Sequence, residues 1–178
     1  MSKRSDSGIS NKGNNSNIAP SDMYDAIHQY QQVSWESITT EQKDALSAYI
    51  DSNPDYTGFV ARGMQVTQSD IDKWLNAGEV ELNDMSSWST DSSVAAQFSE
   101  VSRYADADNG MRSVILVSQS GLLNSAELPR TNSYTEREVL TKVQDYEIES
   151  SRVQPSYSGG SNKSPEITII YVKPRKRK

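Results

Sequence analysis

Cysteine is absent from this chain of 178 residues, and His28 is the single histidine. Without cysteine the protein has no disulfides, no thiolate metal ligands and no thiol nucleophile. One histidine alone builds neither a metal centre nor a Ser-His-Asp triad. These two counts exclude thiolate chemistry and any site that needs several histidines.

Long hydrophobic runs are missing as well. The first ten residues, MSKRSDSGIS, contain no apolar segment of the kind found in secretion signals, and no later run approaches membrane-spanning length. We expect no membrane partner and no general secretion signal. The predicted location is the cytosol of the producing or infected cell, with carriage in a virion as the alternative.

Basic residues are scarce in the body of the chain. The net charge is −6, from 18 basic and 24 acidic residues, but the last six residues, KPRKRK, hold five of the positive charges. The rest carries −11, which argues against a broad nucleic-acid-binding face. The basic end is either a nucleic-acid or localisation patch or a solubilising, disordered tail.

The order of hydrophobic patterns predicts an α+β fold with mostly antiparallel sheets. Residues 1–19 are rich in Ser, Asn and Gly and are predicted to be a disordered leader. Apolar periodicity then favours helices early in the chain and strands late in it. The predicted helices are 21–33, 39–50, 67–78 and 91–105, and the predicted strands are 58–64, 112–118, 138–143, 145–150 and 166–173.

Capping chemistry sets the limits of these helices. Ser21 and Asp91 are predicted N-caps, and Thr39 with Gln42 fits a capping box. Thr67 begins a second box, and the glycine that follows its helix, Gly78, is a predicted stop.

Two glutamates in the stretch SYTEREVLTK carry the first chemical hypothesis. Glu136 and Glu138 are two residues apart, so in a strand they project from one face, while Arg137 points the other way. Such a pair can hold a cationic substrate and stabilise a cationic transition state. The alternative is that both are solvated residues on an edge strand.

Two further pieces have chemical potential. Arg62 and Gly63 end a predicted strand and offer a guanidinium fork beside a close backbone approach, which suits a phosphate. Ser89 and Thr90 follow an aromatic residue where an extended segment meets a helix, and they can brace another side chain. Taken singly, each piece has a simpler interpretation, as a surface arginine at a turn and as a helix cap.

Together, in this order and at these intervals, the three pieces resemble the R-S-E class of mono-ADP-ribosyltransferases. The resemblance covers residues 21–173 and is closest to the compact phage and bacterial-toxin forms. Its context matches too, in the segments W-L-x-x-G-E-V, V-A-A-Q-F and E-V-L. It implies two packed, mainly antiparallel sheets around an NAD cleft with N-terminal helices, a catalytic domain at 20–173 and a basic tail at 174–178.

The resemblance also implies roles on the donor side of the reaction. Arg62 would contact the phosphate and ribose of NAD, and the backbone of Gly63 would bind the nicotinamide carboxamide. Ser89 would hold the catalytic glutamate, Glu138, and Thr90 would support the strand. NAD would be a co-substrate, and no metal would be needed.

On the acceptor side, Glu136 would orient the arginine of a target protein, and Tyr134 would face that target. The implied function is transfer of ADP-ribose from NAD to protein arginine, by a phage or toxin effector acting on host proteins. One departure is Asp91, where the family usually has a third hydroxyl residue; this leaves open a drift toward hydrolysis. The alternatives are an NAD glycohydrolase with the same cleft and a non-catalytic binding or virion module.

Overall fold

The structure is a computed structural model that describes residues 18–32, 37–99, 111–129, 137–155 and 166–175. Within these residues there are four helices and eight strands, and no helix is long and apolar enough to cross a membrane. The helices are α1 (Pro20–Gln32), α2 (Thr40–Ser52), α3 (Gln68–Ala77) and α4 (Ser92–Ser99). The strands are β1 (Val60–Thr67), β2 (Glu79–Leu82), β3 (Ser86–Ser89), β4 (Met111–Ser118), β5 (Ser125–Glu127), β6 (Glu138–Thr141), β7 (Gln144–Pro155) and β8 (Glu166–Arg175).

The two predicted capping boxes and the predicted stop at Gly78 are confirmed, whereas the predicted helix ends at residues 33 and 105 lie outside the described residues. Thr39 and Thr67 both form complete capping boxes, and Gly78 ends α3 in the left-handed conformation with φ 72°. The N-cap predicted at Ser21 is wrong, because α1 begins one residue earlier at Pro20. A proline suits the first helical position, where a backbone N–H would have no partner within the helix.

The eight strands form one hydrogen-bonded sheet in the order β2-β7-β8-β4-β1-β3-β6-β5. Neighbouring strands run antiparallel except β4 and β8, which are parallel. Among the described residues, β1 and β3 are joined by one pair, Ala61 with Ser89. The α+β class is confirmed, but the predicted division into two separate sheets is not, because this junction makes the strand order continuous.

The sheet nevertheless folds back on itself. Trp88 on β3 and Tyr146 on β7 are four positions apart in the strand order, which would separate them by about 19 Å in a flat sheet. Their ring centroids are 5.3 Å apart. Both rings are fully buried, in a cluster that also contains side chains from β1, β4, β6 and β8. The sharp bend therefore places the main core between the two halves of the sheet.

Helices cover the outer faces of this bent sheet. Helices α1 and α2 pack on β5 and β6, where Ile27, Leu46 and Leu140 are fully buried. Helix α4 packs on β1 and β4 around Ala61 and Ala95. The N-terminal helices thus lie over the half of the sheet that carries Glu138.

The last strand reaches further than predicted. Strand β8 ends at Arg175, whose Nη2 lies 2.6 Å from Oε2 of Glu79 on β2, so the first two residues of the segment predicted as a basic tail belong to the sheet. Residues 176–178, like most of the predicted leader (1–17), are outside the described residues.

Candidate active site

Glu138 is the first residue of β6 and is fixed by backbone pairing on both sides. It pairs with Ser89 of β3, and its carbonyl accepts a hydrogen bond of 2.8 Å from the N–H of Leu128 next to β5. Its side chain is half-buried and projects toward α1. The backbone that carries this carboxylate is therefore hydrogen-bonded to a neighbouring segment on each side.

The hydroxyl that contacts this carboxylate comes from Ser87. Its Oγ donates to Oε2 of Glu138 over 2.9 Å. Ser89, expected from the sequence to hold Glu138, is paired with it through the backbone, and its Oγ accepts from the N–H of Asp91 at 3.0 Å. The two serines are two residues apart on one strand, so both face the side of the sheet that carries Glu138. In the structure, it is the side chain of Ser87 that contacts the Glu138 carboxylate.

Arg62 joins the same group from β1. Its Nη1 donates to the carbonyl oxygen of Ser87 over 2.7 Å. Burial lowers the pKa of Arg62 from its usual value, and the nearby phenols of Tyr30 and Tyr146 oppose that effect. A guanidinium stays protonated in proteins all the same, so the site keeps a fixed positive charge. Among the described residues, Nε of Arg62 is buried without a hydrogen-bond partner.

Tyr30 on α1 completes the group and was not singled out from the sequence. Burial raises the pKa of Tyr30, the negative charge of Glu138 raises it further, and a hydrogen bond with Ser87 opposes both effects. The phenol of Tyr30 therefore lies close to both Ser87 and Glu138.

The remaining donor-side residues have mainly structural contacts. The N–H of Thr90 donates to the carbonyl of Arg137 at 3.0 Å, which extends the β3–β6 pairing. Gly63 lies two residues beyond the β1–β3 junction and against α4, where a Cβ atom would be 1.8 Å from the carbonyl oxygen of Ala95. The structure thus gives Gly63 a packing requirement that was not predicted.

Asp91 acts as the helix cap predicted for it. Its Oδ1 accepts from the side chain of Ser93 at 2.7 Å and from the N–H of Ser93 at 2.8 Å, and these hydrogen bonds lower the pKa of Asp91. The acidic residue in this third position of the hydroxyl motif therefore starts α4.

Tyr134 and Glu136, the predicted acceptor-side residues, lie outside the described residues. In the part of the chain that the structure covers, no three acidic or histidine side chains gather as a metal site.

The arrangement pairs a fixed guanidinium with a fixed carboxylate through one serine. The guanidinium can bind an anionic group such as a phosphate. The carboxylate can face positive charge that develops on a bound substrate. This pair therefore suits a substrate that carries a phosphate and that develops positive charge when one of its bonds breaks.

Comparison with known proteins gives matches among solved structures. Vis toxin, an ADP-ribosyltransferase from Vibrio splendidus, has a TM-score of 0.50 and 17% identity, over 90% of this chain and 76% of that one. The enzymatic component C2-I of the Clostridium botulinum C2-toxin has a TM-score of 0.52 and 16% identity, over 95% of this chain and 45% of that one. The Clostridium perfringens toxin BECa, solved with NADH, has a TM-score of 0.51 and 16% identity, over 85% of this chain and 40% of that one.

The chain spans about three quarters of the Vis toxin and less than half of each clostridial protein. No sequence-family model matches it, and neither does any curated protein sequence. The likeness is therefore one of three-dimensional structure, and it agrees with the resemblance found in the sequence: this chain has the fold of the bacterial mono-ADP-ribosyltransferase toxins.

Proposed function

We propose that the protein transfers ADP-ribose from NAD to an arginine side chain of a target protein. The observation that carries this proposal is the linkage of Arg62, Ser87 and Glu138 in one hydrogen-bonded group within an ADP-ribosyltransferase fold. The order of Arg62, Ser89 and Glu138 in the sequence led to the same proposed activity.

Glu138 would act on the bond that breaks. When the N-glycosidic bond of NAD breaks, nicotinamide leaves with the electron pair and positive charge develops on the ribose. A carboxylate held opposite that charge lowers the barrier, because it is already oriented before the reaction begins. Glu138 is suited to this role because β3 and β5 flank its backbone and Ser87 holds its side chain.

Arg62 would bind the pyrophosphate of NAD. A buried N–H without a hydrogen bond is unfavourable, and Nε of Arg62 is such a group among the described residues. A phosphate oxygen would satisfy it with a charge-assisted hydrogen bond. NADH in the BECa structure, which shares this fold, supports a dinucleotide as the ligand.

Glu136 would act on the acceptor, and Tyr134 would contact the target protein. A carboxylate can orient a guanidinium through two hydrogen bonds and draw it toward the ribose. The acceptor nitrogen then forms the new C–N bond and loses a proton, which Glu136 would accept as a general base. We infer an effector of phage or toxin type whose target is a host protein.

Incubation with labelled NAD and a cell extract tests the proposal. We expect labelled protein bands and, by mass spectrometry, ADP-ribose on arginine. Glu138→Gln should lower the rate at least about 100-fold, because it removes the charge that faces the transition state. Glu127→Gln on the neighbouring strand β5 is the matched control and should keep the wild-type rate, since its exposed side chain lies outside the site.

Glu136→Gln separates transfer from hydrolysis. We expect this variant to stop labelling the target protein but still to release nicotinamide from NAD, because water can replace the arginine acceptor. If the wild-type protein releases ADP-ribose and labels no protein, it is a glycohydrolase. If NAD remains unchanged, the proposed activity is refuted and a binding role takes its place.

A further inference from the structure

Ser87 is the point at which Arg62 and Glu138 meet. Its carbonyl oxygen accepts from Arg62 at 2.7 Å, and its hydroxyl donates to Glu138 at 2.9 Å. One residue on β3 therefore connects β1 and β6.

We propose that Ser87, rather than Ser89, is the positioning residue for the Glu138 carboxylate. This proposal goes beyond the proposed function because it names the residue that positions the catalytic glutamate. Its meaning for the mechanism rests on the proposed function, whereas the contact between Ser87 and Glu138 does not.

The geometry of β3 explains why Ser89 has a different task. Ser89 is directly opposite Glu138 in the β3–β6 pairing, whereas Ser87 is diagonal to it. A glutamate side chain is long enough to reach the diagonal neighbour on the same face. The hydroxyl of Ser89 meanwhile accepts from the N–H of Asp91, just before α4. Ser89 therefore belongs to the turn that starts the helix.

Titration of the Glu138 carboxyl group tests the assignment without NAD or a target protein. Carboxyl-labelled glutamate gives a carbon NMR signal for each residue, and Glu138→Gln identifies the one from Glu138. Ser87→Ala should raise the titration midpoint of Glu138 by about one pH unit, because the charged form loses a hydrogen bond. Ser87→Thr, which keeps the hydroxyl, should restore the wild-type midpoint.

Ser89→Ala is the matched control and should leave the midpoint of Glu138 where it is in the wild type. The assignment is overturned if Ser89→Ala moves the midpoint as far as Ser87→Ala, or if neither substitution moves it. Both outcomes can be read even in a protein that proves inactive toward NAD.

Kinetics provides the second readout if the proposed activity is present. Ser87→Ala should lower kcat about tenfold with little change in the KM for NAD, because the carboxylate is misplaced while Arg62 still finds the backbone carbonyl of residue 87. The acid limb of its pH–rate profile should move upward with the NMR midpoint. A loss confined to thermal stability, with an unshifted profile, would assign Ser87 a structural role and refute the proposal.

Discussion

Gly63 shows how tightly a single residue of this site is constrained. It lies within β1, next to Arg62, and its missing side chain lets α4 approach the strand. A Cβ atom there would be 1.8 Å from the carbonyl oxygen of Ala95 and 2.6 Å from the nitrogen of Ser99. Both are backbone atoms of a helix, so neither can move away alone.

Gly63→Ala should therefore reduce the free energy of unfolding by about 3 kcal/mol, because strand and helix must separate. Urea denaturation measures the loss. Gly58→Ala is the control: its Cβ would meet the Tyr56 hydroxyl at 2.8 Å, and a side chain can rotate away. We expect that variant to lose less than about 1 kcal/mol. Equal stability of the two variants would show that α4 does not limit residue 63.

At the scale of whole elements, a half-buried ion pair fastens α2 to the turn between β6 and β7. Nζ of Lys142 lies 2.5 Å from Oδ1 of Asp51, whose side chain is 5% exposed. The pair holds the helix layer against the strand that begins with Glu138. A second ion pair, between Lys173 and Glu147, spans 3.7 Å with both side chains about half exposed.

Lys142→Met should cost about 2 kcal/mol of unfolding free energy, because the Asp51 carboxylate stays buried without this cation. Lys173→Met should cost less than about 0.5 kcal/mol, since water screens the exposed pair. Thermal or urea unfolding of both variants gives the comparison. Asp51→Asn added to Lys142→Met should recover part of the loss, and no recovery would contradict a charge-based cause.

Elements also show what the sequence alone could predict. The capping boxes at Thr39 and Thr67 and the stop at Gly78 depend on residues within a few positions of one another, and all were predicted correctly. The contact between Ser87 and Glu138 joins residues 51 positions apart. It depends on the register of β3 against β6, which no local pattern specifies.

Tyr30 was also not predicted as a site residue, and the reason is again that its position depends on long-range packing. Tyr24 and Tyr30 both lie within the helix predicted for residues 21–33, yet Tyr24 is 53% exposed and Tyr30 borders Glu138. Which of the two meets the site depends on how α1 lies across β6. Family resemblance predicted Arg62 and Glu138 as site residues but could not supply this packing.

For the molecule as a whole, the bend between β1 and β3 is the feature that creates a core. It brings Tyr146 from one half of the sheet against Trp88 from the other. Burial raises the pKa of Tyr146 to about 12, from 10.0. Ionisation of this phenol therefore becomes linked to separation of the two halves.

Stability should fall as pH rises from 10 to 12. Below pH 10 the phenol of Tyr146 is protonated in both states, and its contribution is fully present. Between the two pKa values the unfolded chain releases the proton while the folded protein keeps it, so the free energy of unfolding drops by about 2–3 kcal/mol. Urea titrations of wild type and Tyr146→Phe measure the difference; parallel pH curves for the two proteins would contradict this assignment.

The position of β8 has a consequence for biosynthesis. The last strand in the described part of the chain is inserted between β4 and β7, near the middle of the sheet. Every residue of the site group precedes it, yet until residues 166–175 emerge from the ribosome, β4 and β7 present bare edges where β8 will pair. We expect a polypeptide that ends before β8 to contain every residue of the site group but to self-associate through those two edges.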